Sequence, residues 1–157
     1  MEIRSSAFDD GAPMPDQFAK DGGNTSPPLE FRDVPAGAHA LALVIEDPDA
    51  PSGLFCHWVL YDVPPQTPGL EPGVPPKEVL HDGSVQGTND YGEIGYGGPR
   101  PPSGTHRYLF RLFALNKTLD LQGSVNRQDL LNAIEGHVVD ECQLMGTYAA
   151  KQAKGAD

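Results

Sequence analysis

A chain of 157 residues is long enough to bury one hydrophobic core, so it is predicted to form a single domain over residues 1–157. Its formal charge of −11 repels nucleic-acid phosphates and anionic membrane surfaces, and no stretch is apolar enough to span a bilayer. The 18 glycines and 16 prolines argue against long helices. The first residues contain no apolar signal segment, so a cytoplasmic location is expected.

Short aromatic or β-branched segments bounded by Pro, Gly or Asp predict β-strands. In chain order they lie near Phe31 and at residues 41–46 (LALVIE), 57–62 (HWVLYD), 84–87 and 107–115 (RYLFRLFAL). The continuous apolar run LALVI predicts a strand that is covered on both faces. Because residues 47–56 (DPDAPSGLFC) cannot form the helical crossover of a parallel sheet, we predict an antiparallel, Greek-key-like β-sandwich of two sheets.

A helix is predicted in the last third of the chain. Asn126 can cap it, Asp129 stands at its third position, and Gly136 can end it. The next residues, 138–151 (VVDECQLMGTYAAK), are ambiguous. The predicted sandwich therefore has one or two short helices near the C-terminus.

Polar side chains follow or open the predicted strands. Asp47 and Asp49 come directly after LALVIE, and His57 opens the next strand. His106 and Tyr108 stand two residues apart and therefore on one side of a strand. A histidine whose second nitrogen is held by a carboxylate presents an N–H, and a tyrosine adds an O–H. Together these groups predict a small anion-binding pocket in which His106 and Tyr108 donate to the ligand and one aspartate orients a histidine.

The loop GYGGPRPPSGT, residues 95–105, precedes His106 and is dense in glycine and proline. Its prolines lower the entropy that is lost when the loop is held open, and glycine N–H groups can line a concave anion site. We therefore predict that this loop forms a rigid wall of the pocket and that its glycine amides assist in binding the anion.

Three other interpretations remain open at this point. Asp47 and Asp49 resemble the nucleophile and the acid/base of haloacid dehalogenase-type phosphatases, although that class needs a parallel α/β sheet. The same aspartates with His57 and His106 are residue types that bind zinc, iron or manganese. They also suit a purely structural hydrogen-bond network. The two cysteines, Cys56 and Cys142, have neither a disulfide-framework nor a structural-zinc spacing.

The ordered motifs DPDAP, HW and GYGGPRPPSGTHRYLFRLFAL resemble the bacterial and archaeal branch of the phosphatidylethanolamine-binding protein family, also called Raf kinase inhibitor-like proteins. GGNTSPPLEF, QGTNDYG and GHVVDECQLMGTY are similar to further motifs of this branch, so the resemblance covers most of the chain. One departure is Asp21, where many relatives carry a cysteine. The resemblance implies a β-sandwich with a cavity for phosphate, acetate or phospholipid headgroups, no metal or other cofactor, and a homodimer.

The resemblance also assigns ligand-binding positions: Asp47, Asp49, Pro51, His57, Gly98, Pro101, Pro102, His106 and Tyr108. No catalytic reaction is established for the branch, so the expected protein is a small-anion binder that is non-enzymatic or at most weakly hydrolytic. Its eukaryotic relatives bind kinases or other regulators, which extends the expectation to a regulator or inhibitor of a kinase or hydrolase, with the protein partner unspecified. The alternative is a metal-dependent or aspartate-based phosphoester hydrolase that uses the same Asp/His cluster.

Overall fold

The computed structural model describes residues 1–151 and contains two antiparallel β-sheets. The strands are β1 (Glu2–Arg4), β2 (Leu29–Arg32), β3 (Ala40–Asp47), β4 (Phe55–Val63), β5 (Gly69–Leu70), β6 (Val85–Gln86), β7 (Thr105–Leu115) and β8 (Val138–Ala149). The smaller sheet has the order β1-β2-β5, and the larger sheet has the order β6-β4-β3-β7-β8. Neighbouring strands in both sheets pair antiparallel, which confirms the predicted sandwich.

The central strand β3 is buried along its whole length. Leu41, Leu43 and Ile45 belong to the core between the two sheets, whereas Ala42 and Val44 belong to a second core on the opposite face. The second core is closed by the helix α1 (Arg127–Ile134), through Leu130 and Ile134. The prediction that LALVI is covered on both faces is therefore confirmed, with a sheet on one side and a helix on the other.

Helix α1 is the one α-helix within the described residues 1–151, and its ends match the predicted signals. The side chain of Asn126 accepts from the backbone N–H of Asp129, and the Asp129 carboxylate accepts in return from the N–H of Asn126, which forms a capping box. Gly136 follows the helix with φ +82°, a conformation that glycine adopts without strain. Arg127, at the first helical position, binds Glu46 of β3 and ties the helix to the sheet.

The segment that the sequence left ambiguous forms β8, which pairs with β7 along almost its full length. Its first residues, Val138 and Val139, are exposed, and a buried alternation begins only at Leu144. The N-terminal residues cover the outer edge of its second half, where the N–H of Gly11 donates to Met145 O. No helix within residues 1–151 combines the length and the apolar character that crossing a membrane would require.

Candidate functional site

Three chain segments meet at one end of the larger sheet: the end of β3, the start of β4 and the start of β7. The β3–β4 register shifts here, because Ile45 pairs with Trp58 but Glu46 pairs with Cys56. His57 is therefore an extra residue in β4, a β-bulge of the kind that re-aims side chains beside functional sites. Its ring lies against a tyrosine ring of β7.

These segments surround a cavity of about 240 Å³. The cavity is lined by Asp47, Ala50, Pro51, Ser52, Phe55, His57, Tyr91, Arg100, Pro101, Pro102 and His106. Six of the predicted site residues are thus brought together: Asp47, Pro51, His57, Pro101, Pro102 and His106. Tyr108 lies directly beneath the lining, with its ring centroid 5.2 Å from that of His57. Asp49 and Gly98 are not among the lining residues.

The His106 side chain is held by a buried carboxylate. Its Nδ1 lies 2.6 Å from Oδ2 of Asp47, and both residues are buried. The other carboxylate oxygen of Asp47, Oδ1, accepts from the backbone N–H of Asp49. Since a carboxylate can only accept, His106 carries its Nδ1 proton toward Asp47, and its Nε2 is the nitrogen left for a ligand. Asp47 is therefore the aspartate that orients a histidine.

The His57 ring is held by the backbone of Gly97. His57 Nδ1 lies 2.7 Å from Gly97 O, while the Gly97 N–H donates to His57 O at 2.9 Å. A carbonyl oxygen cannot donate, so Nδ1 must carry the proton of this hydrogen bond. Burial lowers the pKa of His57 below its usual value, because the charged imidazolium is poorly solvated there. His57 is therefore neutral, with Nε2 as a hydrogen-bond acceptor.

Two buried polar atoms, His57 Nε2 and Tyr108 Oη, have no hydrogen-bond partner among residues 1–151. His57 is 2% exposed and Tyr108 is 1% exposed. Burial raises the pKa of the Tyr108 phenol above its usual value, so its O–H keeps the proton and can donate. An unsatisfied buried polar atom costs about 1–3 kcal/mol, so two of them beside a cavity are typical of a binding site. We call these two atoms the buried polar pair.

The glycine- and proline-rich loop is a wall of the cavity, but the amides of Gly97 and Gly98 are bound within the protein. The N–H of Gly97 donates to His57, and the N–H of Gly98 donates to Asn24 Oδ1 at 2.8 Å. A Cβ at position 98 would stand 2.1 Å from the carbonyl oxygen of Phe18, so glycine is needed there for close packing. For these two glycines the expectation of an amide nest is therefore corrected: the Gly97 donor fixes the loop to β4, and the Gly98 donor fixes it to the N-terminal segment.

Asp49 binds Arg107 instead of the cavity. Its Oδ2 accepts from the Arg107 backbone N–H at 2.9 Å and from Nε at 3.0 Å, and its Oδ1 accepts from Nη2 at 2.9 Å. These bonds from Arg107 lower the pKa of Asp49 to about 2. The pair links the turn after β3 to the start of β7, so Asp49 supports the cavity from outside.

The Asp49–Arg107 pair gives a pH-dependent contribution to stability. Because the folded-state pKa lies below that of an unfolded aspartate, the contribution is present above about pH 4 and is lost as the pH falls toward 2. We expect Asp49→Asn to be less stable than the parent at neutral pH, and the difference to shrink over that acid range. Urea denaturation at a series of pH values measures the difference in free energy of unfolding between the variant and the parent. A difference that stays constant down to about pH 2 would show that the Asp49–Arg107 pair is not its cause.

Several cavity residues were not predicted from the sequence. Phe55 and Tyr91 enclose His57, with ring centroids 4.8 and 5.6 Å from the imidazole. Tyr91 also donates from its hydroxyl to Gly98 O at 2.8 Å, and burial raises its pKa to about 12. It lies in the motif QGTNDYG, which carried the resemblance but was given no role. Arg100 lies at the rim, where Asp21 binds its guanidinium at 2.9 and 2.6 Å.

Within residues 1–151, no three His, Cys, Asp or Glu side chains are arranged to hold a metal ion. Of the four residues in that interpretation, Asp47 and His106 hydrogen-bond each other, and the other two are held by different partners. Asp49 is bound by Arg107, and His57 Nδ1 is engaged by Gly97 O. The donor set therefore does not fit the metal-centre interpretation.

Comparisons with known proteins agree with this fold. The sequence profile described as "Phosphatidylethanolamine-binding protein" matches residues 4–149. A "UPF0098 protein" of Methanothermobacter thermautotrophicus is 50% identical over 148 residues, which cover 94% of this chain and 98% of the relative. A structure described as a putative phosphatidylethanolamine-binding protein homologue from Chlamydia trachomatis has a TM-score of 0.87 at 40% identity, covering 95% of this chain and 97% of that one.

Escherichia coli YbcL, described as a new member of the mammalian family, also has a TM-score of 0.87. Its identity to this chain is 26%, with 96% of this chain and 98% of YbcL covered. The profile match spans nearly the whole sequence, and the relatives are similar in both sequence and fold. The chain belongs to the phosphatidylethanolamine-binding protein family.

Proposed function

We propose that the cavity between β3, β4 and β7 binds a small oxyanion, phosphate or a phosphate ester, and that the protein acts by binding it and not by catalysis. The observation that carries this proposal is the buried polar pair: His57, which lines the cavity, and Tyr108, whose ring packs against it, each leave a polar atom unsatisfied, and a ligand that reached these atoms would relieve that cost. The volume of about 240 Å³ suits a ligand smaller than a drug-sized molecule.

The donors of the site favour an anion. Tyr108 contributes an O–H, and His106 contributes Nε2 on the side away from Asp47. With its Nδ1 proton directed to the carboxylate, His106 donates from Nε2 only as an imidazolium, and the buried Asp47 charge compensates that state. A bound anion and a protonated His106 would therefore stabilise each other.

The contacts of the aspartates support binding over phosphoryl transfer. Both carboxylate oxygens of Asp47 are engaged, one by His106 and one by the N–H of Asp49, so neither is presented as a nucleophile. Asp49 is bound by Arg107 and is absent from the cavity lining, which removes the acid/base partner of the aspartate-based hydrolase. The antiparallel sheets also differ from the parallel sheet which that enzyme class requires.

Titration with inorganic phosphate, followed by NMR of the imidazole and phenol groups, tests the proposal. We expect the signals of His57, His106 and Tyr108 to move first and saturably, because the two histidines line the cavity and the Tyr108 ring packs against His57. The signals of His39 and His81, which are absent from the cavity lining, serve as internal controls. Unchanged signals of the three site residues at millimolar phosphate would refute anion binding.

The family suggests a regulatory role. We propose that the protein acts in the cytoplasm as a regulator or inhibitor of a kinase or hydrolase. In this proposal, binding of a ligand in the cavity changes the protein's effect on that enzyme. Cell fractionation tests the location, and a panel of kinase assays with and without phosphate tests the role. Recovery in the membrane fraction, or no phosphate-dependent change in any assay, would count against it.

We further propose that the protein forms a homodimer. Val138 and Val139 are 40% and 46% exposed on β8, an edge strand of the larger sheet, and they offer apolar surface for such a contact. Sedimentation equilibrium is expected to give twice the mass of the chain, and Val139→Lys is expected to give the monomer mass. A parent protein that sediments as a monomer would exclude the dimer.

A further inference from the structure

We propose that the cavity selects oxyanions that bring an acidic proton, free phosphate and phosphate monoesters, over sulfate and phosphate diesters, because His57 offers the ligand an acceptor and not a donor. This inference rests on the proposed anion-binding function and specifies its ligand class. The deciding contact is the hydrogen bond between His57 Nδ1 and Gly97 O, which assigns the ring proton to the nitrogen that faces away from the ligand.

The backbone around His57 prevents the ring from turning over. Gly97 both accepts from the His57 ring and donates its N–H to His57 O, so the two residues are linked in both directions. If the ring were flipped, Gly97 O would lose its donor in a buried position, at a cost of about 1–3 kcal/mol. Phe55 and Tyr91 pack against the imidazole and further restrict its rotation. Nε2 therefore remains the acceptor.

The charged groups around His57 do not reverse this assignment. Asp47 and Asp90 are the acidic groups that favour its protonated form, but burial opposes protonation more strongly and lowers its pKa. Asp47 is also engaged by His106, and Asp90 accepts from the N–H of Cys56. Tyr91 and Tyr108, whose rings pack against the imidazole, have raised pKa values and stay uncharged. Arg100 and His106 line the same cavity, and a positive charge there disfavours a second positive charge on His57.

An acceptor at the bottom of an anion site discriminates between ligands. A fully ionised oxyanion places a lone pair against Nε2, so the two atoms repel unless a proton lies between them. Hydrogen phosphate carries that proton on its own hydroxyl, and a phosphate monoester, whose second ionisation has a pKa of about 6, can acquire it at low cost. Sulfate and phosphate diesters carry no such proton at neutral pH. Tyr108 O–H donates to each of these anions alike.

The test compares inorganic phosphate with sulfate by isothermal titration calorimetry near pH 7. We expect phosphate to bind about tenfold more tightly or better, since sulfate leaves Nε2 facing a lone pair. Methyl phosphate and dimethyl phosphate form a second matched pair that separates a monoester from a lipid-like diester linkage. Methyl phosphate is expected to bind more tightly than dimethyl phosphate. At about pH 8 the binding of methyl phosphate should take up close to one proton. The number of protons is obtained by measuring the heat of binding in buffers of different ionisation enthalpy.

Two variants separate selectivity from affinity. His57→Gln places an amide near Nε2 that can offer either N–H or C=O, so the ratio of phosphate to sulfate affinity should fall toward one. Tyr108→Phe removes a donor that serves both anions, so both affinities should fall while their ratio stays at the parent value. A thermal melt establishes that each variant is folded before it is titrated.

The outcomes are distinct. Equal binding of phosphate and sulfate by the parent, or an unchanged ratio in folded His57→Gln, would overturn the selectivity while leaving the anion-binding function standing. Failure of every anion to bind the parent would overturn the function and the selectivity together. If His57→Gln does not fold, the ratio measured on the parent decides alone.

Discussion

His106→Ala is expected to weaken phosphate binding by about 100-fold or more and to lower the free energy of unfolding by about 3 kcal/mol. The loss of binding follows from the proposed role of His106 Nε2 as a donor to the anion. The loss of stability follows because Asp47, which is 3% exposed, keeps its carboxylate buried without the 2.6 Å contact to His106 Nδ1. Calorimetric titration measures the first effect, and urea denaturation measures the second.

The double variant Asp47→Ala/His106→Ala separates these two effects. It removes the buried carboxylate together with its partner, so part of the stability lost in His106→Ala should return, although phosphate binding should remain lost. If His106→Ala bound phosphate like the parent, the assignment of His106 as the anion donor would be wrong. If the double variant were less stable than His106→Ala, Asp47 would stabilise the protein by contacts other than its bond to His106.

Glu46→Gln is expected to lower the free energy of unfolding by about 3 kcal/mol without changing the shape of the side chain. Glu46 is 3% exposed, and its two oxygens accept from Nη1 of Arg111 at 3.2 and 3.1 Å. Oε2 also binds Nε of Arg127, at the start of α1. A neutral amide leaves two guanidinium groups without their counter-charge and weakens the attachment of the helix to the sheet.

Glu141→Gln is the matched control for Glu46→Gln, because it makes the same chemical change at an exposed position of β8. Its effect on the free energy of unfolding is expected to stay within about 0.5 kcal/mol. Urea denaturation measures both variants. Equal effects at the two positions would show that Glu46 contributes only through net charge. Phosphate affinity is expected to be retained in folded Glu46→Gln, since Glu46 is not among the residues that line the cavity and successive side chains of a strand point to opposite faces.

Local sequence patterns predicted most of the fold because the interactions that decide those elements are local. The apolar run of β3 and the capping box of α1 both involve residues a few positions apart. β8 could not be assigned from the sequence, because its first residues Val138 and Val139 are exposed. Only Leu144, Gly146 and Tyr148, at every second position of its end, are buried in this edge strand. Its strand character comes from pairing with β7, a contact between segments distant in the chain.

For the candidate site, the sequence predicted six residues that the fold brings together, but the roles of similar residues required the three-dimensional contacts. Asp47 and Asp49 are two positions apart in one motif and look equivalent in the sequence. In the fold, Asp47 is buried against His106, whereas Asp49 binds Arg107 outside the cavity. The glycine amides were expected to serve the ligand, yet those of Gly97 and Gly98 are used within the protein.

The sequence by itself determined the antiparallel sandwich, the buried central strand, the capped helix, the family resemblance and six of the residues that line the cavity. These follow from periodicity, turn residues and motif spacing, which are properties of neighbouring residues. Only the tertiary structure decided which nitrogen of each histidine carries its proton, because that depends on whether a distant carboxylate or a distant carbonyl faces the ring. The character of the site as donor or acceptor is therefore a property of the fold.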